Sequence, residues 1–576
     1  MISHHGIQVQ KRRTKYLFFI VVFASICMVL RLFQLQVLEN KTYADAAKKQ
    51  HWSENEIQPK RGNIYVKDIG GSLYPLATNI KLYKVYVDLV NSKNQDKTAD
   101  DLSRVLSVNK NEILEKFKNS KTKRYIPIKR KITEEESEKI KILEDKAIGL
   151  EPEHWRVYPE KELASQVLGY VDGDSNGAGG IEQYFNEELK GTPGLYKAES
   201  DSLGKKILTG RDISVDAKDG EDVVLTINRD IQAQAEMALK KAVETHHAKK
   251  GTVIVVDSKT GAILAMANSP TYDPNNYNDI KDYSLFKNSA ISDVYEPGSI
   301  FKVLTMAAGL DAKKIEPDTK YEDTGSVTLG GFTIRNSDLK AHGLVTITQV
   351  LEQSLNTGTT HVQRLLGKDL FYDYLVKFGL GIVTGIEAPD GTEGAGKVYK
   401  PSEVNEHTYA TMSFGQSIST TPLQMITVFQ AVANGGKLVK PHLVETRMKD
   451  GQQTETYGQT EGSQVISPEA ATKLTGMMVS VVQKGHGQQA GVRGYKVAGK
   501  TGTAQVPKEG GGGYDPNKNI GSFIGFAPAD NPRFVVLVKI DEPKGVNWAE
   551  STAAPVVGEI LQNLLNYYQI PPTEKQ

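Results

Sequence analysis

A serine hydroxyl is a weak nucleophile at neutral pH and attacks a carbonyl only when a base lies within hydrogen-bond reach. Ser299-Ile300-Phe301-Lys302 offers that pair, because side chains three apart on a helix share a face. A lysine acts as a base when desolvation depresses its pKa, and Ile300 to Leu310 is apolar apart from Lys302 and Thr305, as in a buried helix. Tyr295-Glu296-Pro297-Gly298 leads into it, so Ser299 is expected in the first turn, where the helix dipole favours developing negative charge. Ser354-Leu355-Asn356 adds a hydroxyl and an amide, and Lys500-Thr501-Gly502-Thr503 adds a second cation and two hydroxyls. Alone, the first of these motifs reads equally as a solvated lysine beside a capping serine, and the second as a turn. All three in this order describe one serine acyl-transfer site.

The third motif has a rival reading. Gly494 to Thr501 fits the phosphate-loop pattern G-x-x-x-x-G-K-T, which must follow a strand and open a helix. Gly502, Thr503, Val506 and Pro507 follow instead, a helix-averse run. The segment Tyr495 to Val506 is therefore expected as an edge strand lining a cleft. Lys500 projects a cation from it, Thr501 and Thr503 project hydroxyls from a shared face, and Gly502 permits close approach of a ligand. For Ser354 and Asn356, apolar runs on either side (Val350, Leu351; Val362, Leu365, Leu366) predict a loop between two helices.

The surrounding elements must hold these groups together. Asp222 to Ile227 reads as a strand, followed by a helix with Ile231, Ala235, Ala238, Leu239 and Ala242 on one face. Val253 to Asp257 and Ala262 to Met266 flank Ser258-Lys259-Thr260-Gly261, a hairpin signal. Phe523 to Phe526 and Phe534 to Val538 form another strand pair, and a helix bearing Val556, Val557, Ile560, Leu561 and Leu564 follows. Strands from both ends around a helical middle predict one sheet packed by helices. Upstream, Arg61 to about Gly220 alternates extended stretches (Leu82 to Val87) with charged helical ones (Glu134 to Leu143) and glycine-dense turns (Asp172 to Gly180). It reads as an elongated α+β region with no catalytic constellation of its own. The glycine run Gly510 to Gly513 is expected as a mobile loop at the cleft rim.

With 576 residues, two or more domains are expected, and 39% hydrophobic with 24% charged residues is the composition of a folded protein. A net charge of +1 gives no argument for nucleic acid, and a single cysteine, Cys27, excludes a disulfide framework and a paired-cysteine zinc site. Tyr16 to Leu38 is apolar but for Arg31 and a few polar residues, and Lys11, Arg12, Arg13 and Lys15 precede it. That is the pattern of a spanning helix with a cytoplasmic N-terminus and everything beyond about residue 40 outside. No small-x-small cleavage site follows, which argues against a signal peptide, and Cys27 reads as a lipid-facing apolar residue. Residues from about 40 to 60 are polar and helix-compatible, a juxtamembrane stalk.

The order Ser-x-x-Lys, Ser-x-Asn, Lys-Thr-Gly-Thr resembles the signature of penicillin-binding proteins and serine β-lactamases. Over nearly its whole length the chain resembles the class B penicillin-binding proteins, single-pass transpeptidases with a non-catalytic pedestal. The pedestal resemblance rests on Arg61-Gly62-Asn63-Ile64, Arg156-Val157-Tyr158-Pro159, and Gly180-Ile181-Glu182 with Leu189-Lys190-Gly191. Tyr295 to Ser299, Met412-Ser413-Phe414-Gly415-Gln416 and Thr421-Pro422-Leu423-Gln424 resemble the septal, FtsI-like branch. Val66-Lys67-Asp68-Ile69-Gly70 departs from the family's usual Asp-Arg-x-Gly.

The resemblance implies an α/β multi-domain fold: tail 1–15, transmembrane helix 16–38, pedestal 39–220, transpeptidase domain 221–568 and tail 569–576. It implies an antiparallel sheet packed by helices plus an all-helical subdomain. It implies Ser299 as nucleophile, Lys302 as base, Ser354, Asn356 and Lys500 as relay and charge-holding groups, and backbone N–H groups of Ser299 and Thr503 as oxyanion hole. Thr501, Gly502 and Thr503 would bind the substrate, with no metal or organic cofactor. The implied substrates are peptidoglycan stem peptides ending in D-Ala-D-Ala, the inhibitors β-lactams, and the partners a SEDS-type glycan polymerase and other division proteins at the outer face of the bacterial membrane. Hydrolytic relatives (a D,D-carboxypeptidase or β-lactamase), an elongation-type enzyme and a non-catalytic division scaffold are the rival readings. An anchor and a long pedestal argue against a lactamase, and about 160 pedestal residues are too few for a glycosyltransferase.

Overall fold

The computed structural model describes residues 4–41, 52–199, 212–458, 461–508, 512–546 and 548–574. Gly510 and Gly511 of the expected rim loop lie outside the described residues. By internal contact the chain forms two compact units, Met1–Pro59 with Gly191–Asp219, and Lys60–Lys190 with Gly220–Gln576.

In the first unit a helix runs His4–Phe33 and continues as a π turn, Gln34–Leu38. Arg12–Leu38 is long and apolar enough to cross a membrane, and its large apolar side chains and Cys27 are exposed. Where the sequence reads as a helix-compatible stalk, Trp52–Ile57 is instead a strand, antiparallel to Gly194–Glu199, which pairs in turn with Asp212–Val215. Pairing partners more than 130 residues away decide that segment's state, and local propensity yields to them.

In the second unit a seven-stranded sheet is built around Leu73–Val87. Its head buries Val85, Val87, Leu102, Ile113, Ile126 and Ile132 against three short helices. Asp222–Asn228 joins this sheet, parallel to Ile64–Lys67 and antiparallel to Val444–Lys449. It does not join the strands of the chain's C-terminal end, as the sequence pattern suggested. Val223, Val224 and Leu225 are buried on both faces, the pattern of a strand covered above and below by other layers.

A second sheet of five antiparallel strands carries the candidate site. Its strands are β1 (Lys250–Asp257), β2 (Ile263–Ser269), β3 (Ala498–Pro507), β4 (Tyr514–Ala527) and β5 (Phe534–Asp541), in the order β2-β1-β5-β4-β3. One face packs on α1 (Arg229–Thr245) and the C-terminal helix α6 (Ala549–Tyr567) through Val253, Val255, Phe523, Val536 and Val538. The other face, through Ile254, Met266, Ile524 and Leu537, meets the helical middle. That middle includes α2 (Lys302–Asp311), α3 (Ile347–Glu352), α4 (Asn356–Leu366) and α5 (Pro468–Lys484). It is not wholly helical: Lys320–Asp323 pairs with Gly343–Thr346, and Ser326–Leu329 with Phe332–Arg335.

Candidate active site

Ser299 lies in a 3₁₀ turn, Gly298–Phe301, that runs directly into α2, of which Lys302 is the first residue. From Lys302 to Leu310 every residue of α2 is buried, so the lysine amine cannot reach water. The turn is wedged between two backbones. Gly298 has φ +59°, and a Cβ there would stand 2.8 Å from the Thr503 carbonyl oxygen. Gly415 has φ +82°, and its Cβ would meet the Gly298 carbonyl oxygen at 2.2 Å, while Gly298 N–H donates to the Gly415 carbonyl at 3.0 Å. Only glycine fits either position.

Ser354 sits between α3 and α4 in the left-handed region, φ +57°, an unusual conformation for a residue with a side chain. Such strain persists only where its surroundings over-determine it. Here Lys302 Nζ donates to the Ser354 carbonyl, to Ser354 Oγ at 3.1 Å and to Asn356 Oδ1 at 2.8 Å. The Ser299 hydroxyl is not among its partners. Asn356 is held at its other end by donation from Nδ2 to the Arg335 carbonyl at 2.9 Å, which fixes the amide with its oxygen toward Lys302.

β3 is an edge strand, as its glycine and proline content predicts, and no helix follows Lys500-Thr501, so the phosphate-loop reading fails. Lys500 is fully buried and its Nζ donates to Ser354 Oγ at 3.0 Å, with further contacts to the Thr501 carbonyl (3.1 Å) and Oγ1 (3.3 Å). Thr503 Oγ1 accepts from the Ala549 N–H at the start of α6 at 3.5 Å. In an extended strand the N–H and C=O of one residue point to the same side. The Thr503 carbonyl faces Gly298, so its N–H faces the Ser299 turn too. Gly502 differs from expectation: a Cβ there would meet Ser522 Oγ at 2.8 Å, and Ile300 Cγ2 and the Pro297 carbonyl oxygen at 3.0 Å. Its smallness makes room for the turn behind the strand, not for a ligand in front.

Ser354 Oγ thus accepts hydrogen bonds from two buried lysines, and among the described residues neither lysine has a carboxylate partner. Burial alone lowers the Lys500 pKa to about 7. Burial first, and the charge of Lys500 second, holds Lys302 well below the ordinary lysine range. Once Lys302 is protonated, both lone pairs of Ser354 Oγ are engaged by lysines and the hydroxyl keeps its own proton free to donate.

Other residues at the site carry no local signal. Glu296 accepts from the Ser417 N–H at 2.9 Å and from Tyr514 O–H at 2.8 Å, and burial raises its pKa against those two donors. Thr305 Oγ1 donates to the Ser413 carbonyl at 2.7 Å, tying α2 to the Met412–Gln416 segment. Beneath Asn356, Thr357 Oγ1 donates to Asp323 at 2.6 Å and Asn336 Nδ2 to the same carboxylate at 2.9 Å. A separate cavity of about 260 Å³ between Phe378, Thr384, Thr427, Leu438 and Lys440 contains none of the motif residues.

Away from this site, the three pedestal stretches converge on one buried carboxylate. Glu182 accepts from Arg61 Nε at 2.7 Å and Arg156 Nε at 2.6 Å, and Arg156 also donates to the Gly62 carbonyl at 2.7 Å. Burial would raise the Glu182 pKa, but the two guanidinium groups hold it below the usual carboxylate value.

Residues 251–562 match the model of the penicillin binding protein transpeptidase domain, and residues 56–225 that of the penicillin-binding protein dimerisation domain. The chain is 34% identical to Stage V sporulation protein D of Bacillus subtilis over 98% of its length and 87% of the relative's. It is 30% identical to peptidoglycan D,D-transpeptidase FtsI of Buchnera aphidicola, over 97% and 96%. Among solved structures it is similar to penicillin binding protein 3 of Mycobacterium tuberculosis complexed with aztreonam, with TM-score 0.70, 28% identity, and coverage of 90% of this chain and 98% of that one. It is also similar to a peptidoglycan synthetase of Bifidobacterium adolescentis, with TM-score 0.73, 27% identity, and coverage of 91% and 98%. With an apolar N-terminal helix ahead of both matched regions, the chain is a membrane-anchored class B penicillin-binding protein, a serine transpeptidase of the FtsI-like kind.

Proposed function

We propose that this protein is a peptidoglycan D,D-transpeptidase in which Ser299 is acylated by the donor stem peptide. The observation that carries the reading is the Ser354 hydroxyl shared by two buried lysines that have no carboxylate partner among the described residues. Lys302, neutral at working pH, takes the Ser299 proton as Oγ attacks the carbonyl of the penultimate D-alanine. The N–H groups of Ser299 and Thr503 stabilise the oxyanion, each such donor contributing roughly 3 kcal/mol in comparable sites. The C–N bond then breaks, and Ser354 delivers a proton to the departing D-alanine amine while Lys302 replenishes Ser354. Lys500 keeps the site positive and, with Thr501 and Thr503, receives the terminal carboxylate. An amine of a neighbouring stem attacks the ester, forms the cross-link and returns the proton to Ser299. β-Lactams enter by the same first step and stay attached.

The finer organisation belongs to the same proposal. Lys11, Arg12, Arg13 and Lys15, ahead of the apolar run from Tyr16, support an N-terminus in the cytoplasm and a catalytic region outside. The pedestal occupies residues 39–220 and the transpeptidase domain 221–568. A septal role beside a SEDS-type glycan polymerase follows the FtsI-like motifs. The test is labelling with a fluorescent penicillin, comparing the protein with Ser299→Ala over hours. A stable adduct, lost in the variant, is expected; a label that turns over within minutes would make the protein a hydrolase, and no label in folded protein would leave a scaffold.

A further inference from the structure

Residues directly opposite on antiparallel strands point to the same face of the sheet. One such row crosses all five strands of the catalytic sheet: Asn268, Thr252, Lys539, Ser522 and Gly502. The neighbouring row on that face is Met266, Ile254, Leu537 and Ile524, ending at Lys500, and is apolar up to the edge. A lysine only 2% exposed therefore lies two strands behind the substrate-facing edge. Its Nζ donates to both oxygens of Asp541, at 2.5 and 2.6 Å, and stands 4.9 Å from the centroid of the Tyr295 ring.

Tyr295 opens the segment that delivers Ser299. Its backbone pairs with Thr420, and the residues around it are tied to the sheet by their side chains. Asp293 forms an ion pair with Lys250 of β1, Tyr295 lies under Lys539 of β5, and Glu296 accepts from Tyr514 of β4. Ser522, beside Lys539 in the row, has its hydroxyl against Gly502, where Ile300 and Pro297 also press. Two lysines and a tyrosine of the sheet thus hold Asp293, Tyr295 and Glu296, the residues that lead into the Ser299 turn. A buried ion pair is a poor source of stability, because apolar residues of similar volume do as well or better. What such a pair supplies is a defined geometry.

We propose that Lys539 and Asp541 are positioning residues, which fix Tyr295 and through it the Ser299 turn against the Lys500–Thr503 strand. This rests on Ser299 being the acylated residue. The test uses the full chain and a fluorescent penicillin at a series of concentrations, so that non-covalent affinity and the chemical step separate, with thermal midpoints measured in parallel. The double variant Lys539→Met/Asp541→Leu leaves no orphaned charge. Its thermal midpoint is expected at or above that of the parent, with affinity little changed and the chemical step slowed by about 10- to 100-fold, the cost of a misplaced nucleophile. Lys539→Arg, which keeps a cation over the ring, is expected to retain most of the parent rate. A folded double variant acylating within about twofold of the parent would overturn the proposal, as would Lys539→Arg losing as much as the double variant. Should the double variant not fold, Tyr295→Leu removes the ring and leaves the ion pair; the same slowing supports the proposal, and the parent rate overturns it. The parent and Ser299→Ala run alongside: an unlabelled parent or a labelled Ser299→Ala would overturn the acylation reading itself, separately from the role of Lys539.

Discussion

Replacing Lys500 with glutamine removes one of two buried lysine amines that share a hydroxyl. Each Nζ lies about 3 Å from Ser354 Oγ, so the two nitrogens are at most about 6 Å apart. At an effective dielectric of about 20, unit charges at that separation repel by roughly 3 kcal/mol. Lys302 is depressed by burial first and by this repulsion second. In Lys500→Gln the burial remains and the repulsion goes, so the Lys302 pKa rises toward the ordinary lysine range. A higher pKa leaves less free base at a given pH, and the acid limb of the acylation profile moves up by the same amount. The assay is the acylation rate at saturating penicillin from roughly pH 5 to pH 10 at constant ionic strength. The parent should also show an alkaline limb near 7, where Lys500 loses its charge, and the variant should lack it. An acid limb that moves by less than about half a unit in a variant that still binds penicillin would refute the coupling.

Both lysines bind their protons more weakly folded than unfolded, so from about pH 7 to about 10.5 the unfolded chain holds more protons and stability rises with pH. Lys500→Met is therefore expected to raise the thermal midpoint more at pH 6 than at pH 10, by up to the equivalent of roughly 5 kcal/mol; an equal shift at both pH values would contradict the cost assigned to burial. Ser354→Ala and Ser354→Gly both lose the hydroxyl, yet glycine is at ease at φ +57°, so the glycine variant should be more stable by about 1 kcal/mol in urea titrations while both fail to acylate. In the pedestal, Glu182→Gln leaves Arg61 and Arg156 buried without a counter-charge and should cost about 3–5 kcal/mol, read as a lower urea midpoint, with the acylation rate of the folded fraction unchanged.

The groups to which the proposal assigns the chemistry are legible because each carries a local signature. Ser299 and Lys302 share a face within one apolar run, Ser354 and Asn356 fall between two helical patterns, and Gly502 and Pro507 make Lys500 to Thr503 an edge strand. What the sequence hides is the partner of each element. Asp222–Asn228 reads as a strand, but nothing local says that it pairs with Ile64–Lys67 in a sheet apart from the catalytic one. Trp52–Ile57 is polar enough to pass for helix until a strand from far along the chain claims it. Glu296 and Tyr514 meet across more than 200 residues, and the Asp323–Asn336–Thr357 network joins a hairpin to a helix. Gly502 shows the same limit at one atom: its type was informative, but the group it makes room for is a turn whose position only the packed structure gives.

Acylation of Ser299 is read residue by residue in tandem mass spectrometry of the penicillin-treated, proteolysed chain. One adduct per chain is expected, on the peptide that spans the Gly298–Phe301 turn, with the fragment series placing it on Ser299. An adduct on Ser354 or on another residue, or an unmodified Ser299 peptide from protein that binds the drug, would contradict it.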